Sequence, residues 1–216
     1  MRRSLPPVLC FCLLAVTLLS CSSTSSQKKA MTLCREAYEV YWGKDWDAVI
    51  ELSTKAMKMS EDLPWPYSQR GYAYMMKGRY DLAGEDLDMA IELDPEFGAA
   101  YFNRGALYDE LGRRAEAISD YSKAIQYEPF GDAYYRRAID YIAVGQLSAA
   151  EFDLRKAIEL DHDPDSMVEM AELQVLLDNH DESCRMLKKA IESGYKDGDY
   201  LENSEKLAPV RHLDCY

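Results

Sequence analysis

Histidine is scarce in this chain, with three in 216 residues, at positions 162, 180 and 212. Little material is therefore left for proton transfer near neutral pH. An HExxH helix, a nucleophile elbow and a glycine-rich phosphate loop are all missing. The cysteines form no CxxC pair, so neither a zinc site nor a disulfide framework is legible. His180 and Cys184 stand four apart with no further ligand nearby, so no metal and no cofactor is expected. Acid pairs such as Glu85-Asp86 and Asp109-Glu110 read as solvated helix faces, so no enzyme is expected either. Net basic charge is lacking as well. The chain carries −13 overall, and −15 once residues 1–20, with Arg2 and Arg3, are set aside. Such a chain is repelled by nucleic acid and by anionic lipid headgroups, which excludes nucleic acid as a partner. Only one apolar run has any length, the twelve residues 8–19, and it is too short to span a bilayer comfortably. With 48% apolar and 29% charged residues, the remainder is ordinary for a globular protein.

The front of the chain has the layout of a targeting segment: two arginines, the apolar run, then Leu18-Leu19-Ser20-Cys21 and the polar stretch SSTSSQKK. This resembles the lipobox of bacterial lipoproteins, which implies that residues 1–20 are a signal peptide and that Cys21 carries acyl chains. Leu19 is bulkier than the usual residue of that motif, and an ordinary signal cleaved near Ser20 or Ser22 is the alternative. Ser22 in place of Asp implies, again by resemblance, the periplasmic face of the outer membrane. Residues 21–30 are expected to be a flexible tether. Of the six cysteines, Cys10 and Cys12 leave with the signal, and Cys34 and Cys184 are expected as small buried hydrophobes. Cys215 lies in the tail, and an oxidising compartment would allow at most one pair among these last three.

What is present in quantity is repetition. YSQRGYAYMMKG, YFNRGALYDELG and YYRRAIDYIAVG begin at Tyr67, Tyr101 and Tyr134, 34 and 33 residues apart. Around them recur Gly71, Tyr74, Ala83, Leu87, Ala90 and Pro95, then Gly105, Tyr108, Ala117, Tyr121, Ala124 and Pro129. The third copy keeps Ala138, Tyr141, Ala150, Leu154 and Ala157. A fourth is weaker (Met167, Ala171, Gln174, Ser183, Leu187, Ala190), and an N-terminal copy is degenerate (Leu33, Ala37, Val40, Ala56). Spacings of three and four place each set on one stripe of a helix. Gly78, Gly112 and Gly145 stop the first helix of a pair, and Pro95 and Pro129 end the second. The pattern resembles the tetratricopeptide repeat (TPR). The fold expected is an all-α TPR helix-turn-helix solenoid of about five repeats over residues 31–195. A short capping helix over 200–207 is expected within a cap and tail over 196–216.

Each strong copy also has an arginine with an aspartate sixteen residues later: Arg70 and Asp86, Arg104 and Asp120, Arg137 and Asp153. In the fourth copy both places become methionine, Met170 and Met186, and in the first they are Glu36 and Leu52. A pair that appears and disappears as a unit, repeated along a stack, predicts structural ion pairs at helix seams.

In TPR proteins the concave face is lined by fixed positions of each first helix. Carried over, these give a candidate groove of Tyr38, Trp42, Trp65, Tyr72, Met75, Met76, Phe102, Tyr135 and Ile139. Some of these rings could equally pack between adjacent helices. A clamp for a partner's C-terminal carboxylate is not expected, since only Asn103 matches that scheme. The function expected is a lipid-anchored scaffold in the bacterial cell envelope, holding a peptide or helix segment of a protein partner in an apolar aromatic groove. Alternatives are a small apolar ligand in the same groove, as an accessory to envelope transport, or a groove filled by a second copy in a homo-oligomer.

Overall fold

The computed structural model describes residues 24–213, which are helical and contain no strand. Within these described residues eleven α-helices and one 3-10 helix follow one another. They form two compact units, which divide between Glu128 and Pro129.

The first unit holds α1 (Ser25–Tyr41), α2 (Trp46–Met59), α3 (Pro64–Met76), α4 (Tyr80–Leu93), α5 (Gly98–Glu110) and α6 (Arg114–Tyr127). Its first helix corrects an expectation. Residues 25–30, read as tether, are the opening turns of α1. Thr24 and Gln27 form a reciprocal capping box that satisfies the first free amides. Beyond it Ala30, Met31, Cys34 and Ala37 bury one face. The polar composition of SSTSSQKK concealed a helix start.

Within α3/α4 and α5/α6 the two helices approach at the small residues. A β-carbon added at Gly105 would lie 2.8 Å from the Tyr121 ring, and one at Gly71 2.8 Å from Leu87. Ala83, Leu87 and Ala90 on α4, and Ala117, Tyr121 and Ala124 on α6, are fully buried. α4 stops at Leu93 and α6 at Tyr127, two residues before Pro95 and Pro129, because the residue preceding a proline avoids helical backbone. The turns inside the pairs use positive φ at Gly78 and Gly112 (69° and 70°). Lys44 holds the same place in the first pair with φ 57°, a non-glycine residue the sequence did not mark.

The second unit comprises α7 (Gly131–Ala143), α8 (Leu147–Asp161), α9 (Pro164–Leu176), α10 (His180–Glu192), α11 (Gly198–Asn203) and the 3-10 helix Glu205–Val210. Met170 and Met186, the residues replacing the arginine-aspartate pair, are both buried in its core with Leu154, Leu173 and Leu187. An apolar couple has taken the place of an ion pair. Leu201, Leu207 and Val210 join the same cluster and cover the last pair. The single capping helix expected over 200–207 is instead two short helices, because Ser204 between them has extended backbone. Cys34 is fully buried, as a small apolar residue would be. Cys184, by contrast, is disulfide-bonded rather than a plain core residue, and Cys215 lies outside the described residues, as does Cys21. Consecutive helix pairs in both units match the TPR solenoid class.

Candidate functional site

The repeated charges come first, because they fix the helices that carry the rest. Arg104 Nε and Nη2 donate to the two oxygens of Asp120 at 2.7 and 3.0 Å. Arg70 meets Asp86 in the same two-pronged way at 2.7 and 2.8 Å, as does Arg137 with Asp153. Each pair joins the first helix of a repeat to the second. The remaining arginine nitrogen reaches the previous repeat: Arg70 Nη1 donates to Thr54 Oγ1 at 3.1 Å, and Arg104 Nη1 to Asp88 Oδ1 at 2.7 Å. Thr54 and Asp88 are 34 residues apart, so the repeat period contained this signal although neither residue type announces it.

Tyrosine rings complete the setting. The Arg104 guanidinium lies 5.6 Å from the Tyr101 ring centroid and 5.8 Å from that of Tyr108, and Arg137 is flanked likewise by Tyr134 and Tyr141. Burial opposes the charge on Arg104, but the bonds to Asp120 and Asp88 outweigh it and its pKa is raised. Asn103 donates to Ser68 at 2.9 Å and is buried, so its amide serves the packing of α5 on α3.

The nine residues expected to line the groove do not share one environment. Trp65 is 8% exposed and meets Phe97 edge-on, ring centroids 4.7 Å apart. Met75 packs with Leu87 and Leu107, and Tyr38 is also buried. For these three the expectation of an open groove is corrected: neighbouring helices already cover them. Phe102 is half-buried against Tyr121, at 5.7 Å. In the second unit Tyr135 and Ile139 are half-buried. Burial, with Glu169 next in effect, pushes the Tyr135 hydroxyl up to about 12.

What reaches the surface is an aromatic cluster in the first unit. Trp42 is 41% exposed and stands edge-on to Tyr38 and Tyr41, at 5.9 and 5.7 Å. Tyr41 contacts Tyr72 at 5.2 Å, and Trp46 fits between them at 5.2 Å from Tyr41 and 5.9 Å from Tyr72. One turn beyond Tyr72, Met76 is 45% exposed. Trp42, Tyr72 and Met76 were expected here; Trp46 was not, because it belongs to a second helix.

Carboxylates elsewhere are held away from their ordinary behaviour. Burial, then the charge of Asp94, pushes Glu128 up to about 7. Burial, then Asp161, pushes Asp132 up to about 6. Glu172 is buried beneath the C-terminal cap, accepting from the hydroxyls of Tyr200 and Ser204 and from Lys206 Nζ at 2.6 Å. His180 Nε2 lies 3.4 Å from Asp178, and no group of His, Cys, Asp and Glu among the described residues could hold a metal ion. No described helix is long and apolar enough to cross a membrane.

Comparison with known proteins agrees with this architecture. A family profile described as TPR repeat matches residues 71–112, and profiles described as tetratricopeptide repeat match 98–130 and 131–163. The small glutamine-rich tetratricopeptide repeat-containing protein 2 of Mycosarcoma maydis is 34% identical over 101 residues, 47% of this chain and 29% of that protein. Translocon at the outer membrane of chloroplasts 64 of Pisum sativum is 33% identical over 51% of this chain and 19% of its own length. The chain thus spans well under half the length of these relatives. Among solved structures, Pseudomonas aeruginosa pilF superposes with a TM-score of 0.77 at 15% identity, covering 87% of this chain and 86% of that one. The first TPR of Spaghetti (RPAP3), bound to an HSP90 peptide, gives 0.52 at 25% identity over 55% of this chain and 98% of that one.

Proposed function

We propose that this chain of tetratricopeptide repeats is a non-enzymatic adaptor, anchored through a lipid on Cys21 at the periplasmic face of the outer membrane, that holds a segment of a protein partner. The observation that carries the binding role is the aromatic cluster of α1, α2 and α3, which surfaces at Trp42 and Met76. Rings fixed by one another lose little freedom on binding, and an exposed methionine beside them adapts to different partner side chains. The first TPR of Spaghetti, solved bound to an HSP90 peptide, is a similar structure whose repeats hold a peptide segment.

The test places a photo-crosslinking residue at Met76 in cells and identifies what is captured. Trp42→Ala should abolish a protein adduct while leaving the melting temperature nearly unchanged. A crosslink to a small apolar molecule would replace the protein partner by a ligand, and a crosslink to the chain itself would make the patch a self-association surface. The anchor is tested separately: Cys21→Ala should abolish fatty-acid labelling and leave an unprocessed precursor.

A further inference from the structure

The acidity of this chain is not evenly spread. Residues 60–216 contain seventeen basic and thirty-three acidic side chains, a balance of −16, whereas residues 22–59 contain six basic and five acidic, a balance of +1. The repulsion from anionic headgroups expected from the total therefore does not apply to the end of the molecule that follows Cys21.

Folding concentrates the basic residues further. The Ser26 hydroxyl donates to the Met59 carbonyl, which sets the first turn of α1 beside the last turn of α2. Lys28 and Lys29 from α1 and Lys58 from α2 are exposed at that junction, with Met59 45% exposed among them. None of the three lysines is held in an ion pair among the described residues. Lys55 is paired with Glu51. Of the two acids in the following connector, Asp62 accepts from Gln27 and Ser60, and Glu61 stands exposed. Ser25, Lys28, Lys29 and Thr32 line a shallow depression, in which two ammonium groups and the Ser25 hydroxyl suit a phosphodiester, while the Thr32 hydroxyl donates to the Lys28 carbonyl.

We infer that this lysine-bearing end of the α1/α2 pair is a docking surface for anionic phospholipid headgroups, so that the repeats are seated on the bilayer as well as tethered to it. The inference rests on the lipid anchor proposed above. Chain length keeps the lysines close to the bilayer: three residues from Cys21 to Thr24 reach at most roughly 10 Å, and Lys29 lies about 6 Å along the helix from Ser25. A linker of eight or more residues would have let the domain swing free. With α1 beginning at Ser25, the lysines stay within reach of the headgroups. Lysines at a membrane surface draw on its negative potential, and one basic cluster is a standard second signal beside acyl chains.

The experiment reconstitutes the processed protein, extracted from membranes, into vesicles of phosphatidylcholine alone or mixed with phosphatidylglycerol. Its lysines are acylated with a water-soluble reagent and mapped by mass spectrometry. Lys28, Lys29 and Lys58 should be labelled severalfold less in the anionic vesicles, while Lys188 and Lys189, also exposed, serve as references and do not change. Raising the salt should erase the protection, since the screening length falls from about 10 Å at 0.1 M to about 3 Å at 1 M. Lys28→Glu with Lys29→Glu should expose Lys58 to the reagent without affecting fatty-acid labelling. A lipidated protein whose three lysines label alike in both vesicles would overturn the inference and leave the anchor standing. A protein without lipid on Cys21 would overturn both. Protection that appears only when envelope proteins are added would assign the surface to an acidic protein and overturn docking on lipid.

Discussion

Arg104 and Asp120 face each other across the α5/α6 seam with both carboxylate oxygens engaged, at 2.7 and 3.0 Å. The Asp120 side chain is 6% exposed and that of Arg104 19%, so the aspartate is the member most removed from water. Replacing it strands a half-buried guanidinium that keeps only Asp88, which is itself 66% exposed. Asp120→Ala should cost about 2–3 kcal/mol. Asp88→Ala should cost less than about 1 kcal/mol and the exposed Glu110→Ala less than about 0.5 kcal/mol. Urea unfolding of the three variants gives the order directly, and equal midpoints would show that the seam is not held by the pair.

Gly105 owes its place to the Tyr121 ring, 2.8 Å from where a β-carbon would stand. That ring is fully buried and its hydroxyl donates to Asp109 at 2.6 Å, so it has little room to retreat. Gly105→Ala should lower stability by about 1–3 kcal/mol through overpacking, although alanine is the better helix former. A variant more stable than the parent by thermal melting would mean that the helices can separate at no cost.

Glu128 gives the first unit a pH dependence of definite sign. Its folded pKa, about 7, lies above the ordinary 4.5, so the folded state holds the proton more tightly. Stability contributed by the protonated form is complete below about pH 4.5 and falls as pH rises towards 7. Glu128→Gln should remove that fall and stabilise the protein at pH 8 by about 1–2 kcal/mol, after allowance for partial solvent screening. Denaturant titrations at pH 5 and pH 8 check it; identical gains at both values would point to a cause other than proton uptake.

Trp65 and Trp42 make opposite predictions from the same residue type. Trp65, enclosed with Phe97, is a core side chain, and Trp65→Ala should destabilise by about 3–5 kcal/mol. Trp42→Ala should change stability by less than about 1 kcal/mol and remove partner capture at Met76. Loss of capture in a variant that has also lost its cooperative melt would make Trp42 part of the core and leave the patch without a binding role.

The repeat, its helices and its ion pairs were legible in the chain alone. A 34-residue period, glycine at the turns, proline after the second helix and an arginine-aspartate couple each depend on local geometry, which spacing encodes. α1 was legible too but was masked by composition: Thr24 and Gln27 cap it reciprocally, yet their neighbours are serines and lysines that also suit a linker. What spacing could not decide was which groove positions remain open. Trp65, Met75 and Trp42 are all apolar at concave positions, and only the packing of later helices buries the first two and spares the third. The partners of Glu172, from a segment some thirty residues on, likewise depend on where the chain returns, and no period governs that. Local hydrogen bonding and helical periodicity are properties of neighbours in sequence; exposure is a property of neighbours in space, and only the folded helices fix it.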